Sequence, residues 1–171
     1  MDENNVVSEY PLDQGVKALM QGCPDLHRFG LYLRRGFLTD KGMEEIGLYG
    51  KNLRWVLFGL VGETDNGLKL FANGCPSLQR LEIRDCVFSE AAITESVLKM
   101  KNLKYVWIQG YKSTGSGQDL LPLTKDFWNV ELIQDPQASS EDHPDTPAQF
   151  LAYRCLTGKR DDAPDVVTCL G

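Results

Sequence analysis

Leu78-Gln79-Arg80-Leu81-Glu82-Ile83-Arg84 is the stretch that decides the fold. Its three aliphatic residues stand at offsets 0, 3 and 5, and the same apolar triplet recurs as Leu26, Phe29 and Leu31, as Leu53, Val56 and Phe58, and as Leu103, Val106 and Ile108. The first members lie 27, 25 and 25 residues apart. A second motif keeps the same intervals. Asp13, Asp40 and Asp65 each precede a glycine by two positions (Gly15, Gly42 and Gly67), and Glu90-Ala91-Ala92 is a relaxed fourth copy. Two unrelated patterns with the same three spacings are hard to produce by chance, so the chain contains tandem repeats.

A unit of this length falls in the range of about 20–29 residues typical of leucine-rich repeats. The expected fold is therefore α/β: part of a right-handed leucine-rich-repeat solenoid, a horseshoe of strand-helix units. The triplet reads as a short strand, because offsets 3 and 5 alternate and so face one side. The Asp-x-Gly half reads as a helix start, with Asp13, Asp40 and Asp65 placed to cap orphan amides. Apolar pairs at helical spacing follow: Val16 and Leu19, Met43 and Ile46, Leu68 and Phe71, Ile93 and Val97. Gly22, Gly50 and Gly74 stand where each helix should stop. One strand and one helix cannot close a core alone, so units must stack, giving a parallel sheet on one side and helices on the other.

Strand alternation then sorts the remaining side chains. If offsets 3 and 5 point to the helices, offsets 2, 4 and 6 point away: Arg28, Gly30 and Tyr32; Trp55, Leu57 and Gly59; Arg80, Glu82 and Arg84; Tyr105, Trp107 and Gln109. Aromatic and aliphatic groups gathered on an exposed face imply a partner or ligand. Arginines beside them suit a carboxylate or phosphate carried on an apolar body. Plainer readings stand next to this one. A loop would cover Trp55 and Leu57 as well as a ligand would. Arg80 and Arg84 have Glu82 as a ready ion-pair partner. The loop at 110–117 lies near Tyr105 and Trp107, and Arg34 and Arg35 read as solvated turn residues.

The expected domain layout is a partial repeat at 1–12, leucine-rich repeats at 13–133, a linker at 134–149 and a C-terminal cap and tail at 150–171. Within it, 118–128 reads as a last helix, 129–133 as a final strand and 150–157 as a short capping helix. Residues 134–149 hold three prolines, two serines and several acids, which is linker composition. Helix α-type sequence at Asp13 has no strand before it, and residues 1–12 resemble no capping unit, so the reading is of a chain beginning within a longer repeat array.

Composition excludes several classes. Among 171 residues, 42% are apolar and 25% charged, which is ordinary for a soluble globular protein. No apolar run is long enough for a membrane span, and the polar start MDENNVVSEY is no secretory signal. A net charge of −6 argues against general nucleic-acid binding. The five cysteines are Cys23, Cys75, Cys86, Cys155 and Cys169, an odd number with no Cys-x-x-Cys pair. Cys23 and Cys75 share the context Gly-Cys-Pro, and buried thiols are the reading for such a repeat position, with metal or disulfide roles as the minority alternative. His27 and His143 stand beside no nucleophile motif, and neither a phosphate-binding Gly-Lys-Ser/Thr loop nor zinc spacing occurs. The chain is read as a binding protein, not an enzyme, and no metal is expected.

Several stretches in order, RFGLYLRRGFLTDKGMEEIG, NLRWVLFGLVGETDNGL, GCPSLQRLEIRDCVFSE, LKYVWIQGY, GQDL, FWNVELI and LAYRCLTGKR, resemble the C-terminal leucine-rich repeats of the coronatine-insensitive F-box proteins, the plant jasmonate receptors. LEIRDC is shared with the related auxin receptors; RWVLFG, YVWIQGY, WNVELI and LAYRCLTGKR favour the jasmonate branch. The resemblance implies the substrate-recognition subunit of an SCF-type ubiquitin ligase, in which jasmonoyl-isoleucine sits between the repeats and the degron of a jasmonate-ZIM-domain repressor. It implies an inositol phosphate beneath the pocket, as a structural cofactor of the full-length receptor. By the same resemblance, Tyr32 bonds the hormone's polar end, Trp55 and Leu57 form pocket wall, and Arg84 reaches ketone and repressor. Arg80 is then a basic residue near the inositol phosphate. The family's F-box, which engages a Skp-type adaptor and a cullin, has no counterpart in the residues present. A nuclear location is implied, with the cytoplasm as a second compartment, and neither nucleic acid nor membrane is an expected partner. The alternative functions are an auxin-type receptor and a plain protein-binding module without a small ligand.

Overall fold

In the computed structural model, residues 11–109 are described with their side chains, and residues 128–133, 149–154 and 168–169 by their backbone. Four helices alternate with four strands: α1 (Asp13–Gly22), β1 (Arg28–Tyr32), α2 (Asp40–Tyr49), β2 (Trp55–Gly59), α3 (Asp65–Ala72), β3 (Arg80–Arg84), α4 (Glu90–Lys99) and β4 (Tyr105–Gln109). Strands β1 to β4 are parallel neighbours in sequence order. Their pairing puts Phe29 beside Val56, Leu81 and Val106 in turn. The register is thus the sequence repeat itself, one residue for its equivalent in the next unit.

The helices start one residue earlier than the Asp-x-Gly motif implies. Thr39, Thr64 and Ser89 are the N-caps, and their hydroxyls accept the amides of Lys41, Asn66 and Ala92. The aspartates do not cap their own helices. Each reaches into the following unit and accepts both the backbone N–H and the hydroxyl of that unit's cap. Asp13 takes Thr39, Asp40 takes Thr64, and Asp65 takes Ser89, with N–H distances of 2.9, 3.1 and 2.8 Å. The motif's glycine explains itself the same way. A methyl on Gly42 would strike the Asp13 carboxylate, and one on Gly67 would strike Asp40. Asp and Gly therefore interlock across units: the glycine vacates the space that the previous unit's aspartate fills.

Gly50 and Gly74 do stand at helix ends, but not for a left-handed turn; Gly50 has φ −80°. Crowding is the reason. A methyl on Gly74 would overlap the Gly47 backbone of the unit before.

The core lies between sheet and helices. Val56, Phe58, Leu81, Val106 and Ile108 from the strands, with Met43, Ile46, Leu68 and Phe71 from the helices, are fully buried. Phe58 meets Phe71 edge to face at 4.9 Å. Burying each such side chain contributes about 1.5–3 kcal/mol. In the first unit the pattern shifts: Met20 is buried, while Leu19, expected inside, is 44% exposed. Cys23 is likewise exposed, although Cys75 at the equivalent position is buried under the Ile46 carbonyl of α2. Among the described residues no helix precedes α1 to cover Cys23. Burial pushes the Cys75 and Cys86 thiols up to about 12 and about 11. Cys155 and Cys169 have no described side chains.

Three further strands close the far edge: β5 (Trp128–Ile133), β6 (Gln149–Arg154) and β7 (Thr168–Cys169), in the order β4-β6-β5-β7 and all antiparallel to their neighbours. The strand expected at 129–133 is present as β5. The helix expected at 150–157 is not: Phe150 to Tyr153 pair with Ile108 to Tyr105 as β6. A short apolar run carries no helix-versus-strand signal of its own, and the unpaired edge of β4 supplies a ladder for it. The loop, helix and linker expected between 110 and 149 lie outside the described residues, apart from the strand positions just named.

Candidate ligand-binding face

Among the described residues, alternation along β1 to β4 leaves the sheet's second face without helices. Tyr32, Trp55, Leu57, Arg80 and Arg84 all stand on it, one residue out of phase with the buried set. Tyr32 is 55% exposed, Arg80 is exposed, and Trp55, Leu57 and Arg84 are half-buried. Tyr105 and Trp107 continue the face on β4 and are half-buried as well.

The face has two halves. At the strand starts is a concavity of about 730 Å³ lined by His27, Arg28, Arg54, Trp55, Gln79, Arg80 and Glu82. His27, Arg54, Gln79 and Lys104 occupy one repeat position, immediately before each strand. Their carbonyls extend the ladder by a rung: His27 accepts from Arg54 and Trp55, Arg54 from Gln79 and Arg80, and Gln79 from Lys104 and Tyr105. Arg54 and Gln79 were not singled out from sequence because alternation was counted only within the strands. The repeat position itself, basic or amide in every unit, is the signal that finds them.

At the strand ends the chemistry differs. The Tyr32 hydroxyl donates to Asp85 Oδ2 at 2.7 Å, crossing from the end of β1 to the residue after β3. The bridge passes over Gly59, where a methyl would fall inside the Tyr32 ring. Asp85 has φ +53° and Leu60, its equivalent one unit earlier, has φ +55°. Left-handed backbone suits aspartate better than leucine, and here it turns the Asp85 carboxylate back to the phenol. That hydrogen bond holds the Tyr32 phenol above its ordinary pKa, since ionising it would remove the donor beside a carboxylate. Asp85 is the residue that strand arithmetic missed, because it lies past the strand.

Glu82 joins the halves. Its Oε1 accepts the Trp55 indole N–H at 3.1 Å and Arg80 Nε at 2.9 Å, and its Oε2 lies 3.6 Å from Arg84 Nη2. Arg80 also stacks over Tyr105, its guanidinium carbon 4.2 Å from the ring centre. The pairing of both arginines with Glu82, the plainer reading of the sequence, is present, and it does not remove them from the face. Among the described residues no group of three or more His, Cys, Asp or Glu side chains is arranged to hold a metal, and no helix is long and apolar enough to cross a membrane.

The chain is 45% identical over 176 residues to coronatine-insensitive protein 1 of Arabidopsis thaliana, a match covering 99% of the chain and 30% of that protein. It is 47% identical over 167 residues to coronatine-insensitive protein homolog 2 of Oryza sativa subsp. japonica, covering 98% of the chain and 28% of the relative. This chain is related to the coronatine-insensitive proteins along nearly its whole length. A more distant relative is F-box protein FBX14 of Arabidopsis thaliana, 31% identical over 96% of the chain and 26% of its own length. No family model matches. The chain spans about 30% of the length of the coronatine-insensitive protein it matches.

Proposed function

We propose that this chain forms one wall of a substrate-recognition surface in an SCF-type ubiquitin ligase, within a leucine-rich-repeat solenoid, and that the surface takes jasmonoyl-isoleucine together with the degron of a jasmonate-ZIM-domain repressor. The observation that carries the reading is the gathering of Tyr32, Trp55, Leu57, Arg80 and Arg84 on the sheet face opposite the four helices, in a sheet whose register follows the repeat. The relatives' name supports a role in the response to coronatine. In this reading Trp55 and Leu57 supply apolar wall, and Tyr32 and Arg84 supply polar contacts to the hormone. Ubiquitin transfer belongs to the other subunits, engaged through an F-box, a Skp-type adaptor and a cullin, so the role of this chain is binding; the setting that goes with this reading is the nucleus, with the cytoplasm as a second compartment.

The concavity at the strand starts suits an inositol phosphate. Arg28, Arg54 and Arg80, with His27 and Gln79, line it against the single acid Glu82. Guanidinium groups recognise phosphate oxygens through paired N–H donors. Arg80 would stand between this site and the hormone.

The test replaces the matching segment of coronatine-insensitive protein 1 with this chain and measures recruitment of a repressor degron peptide. Recruitment should require jasmonoyl-isoleucine and be lost in Tyr32→Ala and in Arg84→Ala, with the melting temperature little changed. Unchanged recruitment in both variants rejects the site. Recruitment by auxin and not by the jasmonate assigns the face to the auxin-type alternative, and recruitment without any small molecule assigns it to a plain protein-binding module.

A further inference from the structure

Glu82 lies on the open side of the sheet and is nonetheless only 7% exposed. Its register neighbours are Leu57 on β2 and Trp107 on β4, so its stem is walled by two apolar side chains. Its carboxylate engages Trp55, Arg80 and Arg84, three of the five residues placed in the site by sequence. All three partners stand on the same open face, and both arginines keep about half of their side-chain surface in solvent. The ion pair offsets the cost of desolvating a nearly buried carboxylate, so its net contribution to folding is small. It does fix geometry: one carboxylate sets the plane of an indole and the direction of two guanidiniums.

Charge follows the same division. Beside Leu57 the two cations Arg80 and Arg84 share the one carboxylate of Glu82, whereas Arg28, Arg54 and Lys104 at the strand starts have no ion pair with a carboxylate among the described contacts.

We propose that Glu82 is a positioning residue of this face: it holds Trp55, Arg80 and Arg84 in place and offsets the charge of the two arginines beside Leu57. The inference rests on reading the face as a ligand site, and deepens it.

The experiment uses the full chain as wild type, Glu82→Gln and Glu82→Ala, with Trp55→Phe to assign the indole resonance. Solvent exchange of the Trp55 indole N–H is measured by NMR, and binding of tripolyphosphate by calorimetry. Glu82→Ala should exchange at least tenfold faster. Glu82→Gln, which removes charge and keeps shape, should bind tripolyphosphate at least threefold tighter, and adding Arg84→Ala should abolish that gain. Unaltered exchange together with unaltered phosphate affinity overturns the proposal. So does a loss of folding in Glu82→Gln, which would make the residue structural. If both responses appear while jasmonoyl-isoleucine recruits no degron, the hormone reading falls and the role of Glu82 stands. If recruitment succeeds and neither response appears, Glu82 alone is wrongly assigned.

Discussion

The two faces of strands β2 and β3 are one residue apart in sequence and differ in what holds them. Val56, Phe58, Leu81 and Ile83 point to the helices and are at most 1% exposed. Trp55, Leu57, Arg80 and Arg84 point the other way and are held by Glu82, by the Tyr105 ring and by one another's register. On the helix side, position is set by close packing, where any change of volume is felt. On the open side it is set by a few directional polar contacts with solvent beside them. The lesson is that the same backbone can be over-determined on one face and adjustable on the other, and a ligand needs the adjustable one.

That contrast can be broken most easily with Phe58→Ala. Removing a fully buried ring that packs on Phe71 should cost about 3–5 kcal/mol, measured by urea denaturation; a cost near that of an open-face substitution would show the two faces to be alike. Ser89→Ala is expected next, at about 1 kcal/mol. It removes both the α4 cap and the hydroxyl that donates to Asp65, so units three and four should separate more readily in hydrogen exchange.

Smaller effects are expected on the open face. In Gly59→Ala the new methyl would occupy the space of the Tyr32 ring, and because that ring is exposed it should swing into solvent at a cost of less than about 1 kcal/mol. The Tyr32–Asp85 bond should then be absent, seen as a phenol titrating nearer its ordinary value in an ultraviolet difference titration. A cost as large as that of Phe58→Ala would mean that the ring is locked and not adjustable. Asp85→Asn, which tolerates the left-handed backbone, should be the mildest. The Tyr32 phenol is raised in the folded chain, first by its hydrogen bond to Asp85 and then by burial and that carboxylate's charge. Its contribution is therefore fully present below the phenol's unfolded pKa and is lost as pH rises through the folded value. In Asp85→Asn the phenol should titrate at lower pH, nearer its unfolded value, so the alkaline fall in stability should be smaller. An unchanged titration would show that Asp85 does not hold Tyr32.

Much of this was legible in the residues. The interval of 27, 25 and 25 gave strand positions, parallel register and the sorting of side chains onto two faces, because alternation is fixed by strand geometry wherever a triplet recurs. Asp13, Asp40 and Asp65 were legible as helix-start residues but not as ties to the following unit, since a cap and a tie place the same residue at nearly the same position. The exposure of Leu19 and Cys23 was not legible either. Each has the sequence context of a buried position in a later unit, and burial there depends on the neighbour that covers it. Phe150 to Tyr153 failed for a similar reason, as the edge of β4 chose strand for a run with no clear period.

By itself the sequence determined the repeat, the alternation and hence the membership of the open face, because those follow from local periods that the backbone must obey. Tertiary structure alone decided that Glu82 would accept the Trp55 indole N–H, that Asp85 would turn back to Tyr32, and which first-unit residues stay exposed. The two hydrogen bonds join residues 27 and 53 apart in sequence, and their geometry exists only once the strands are stacked side by side.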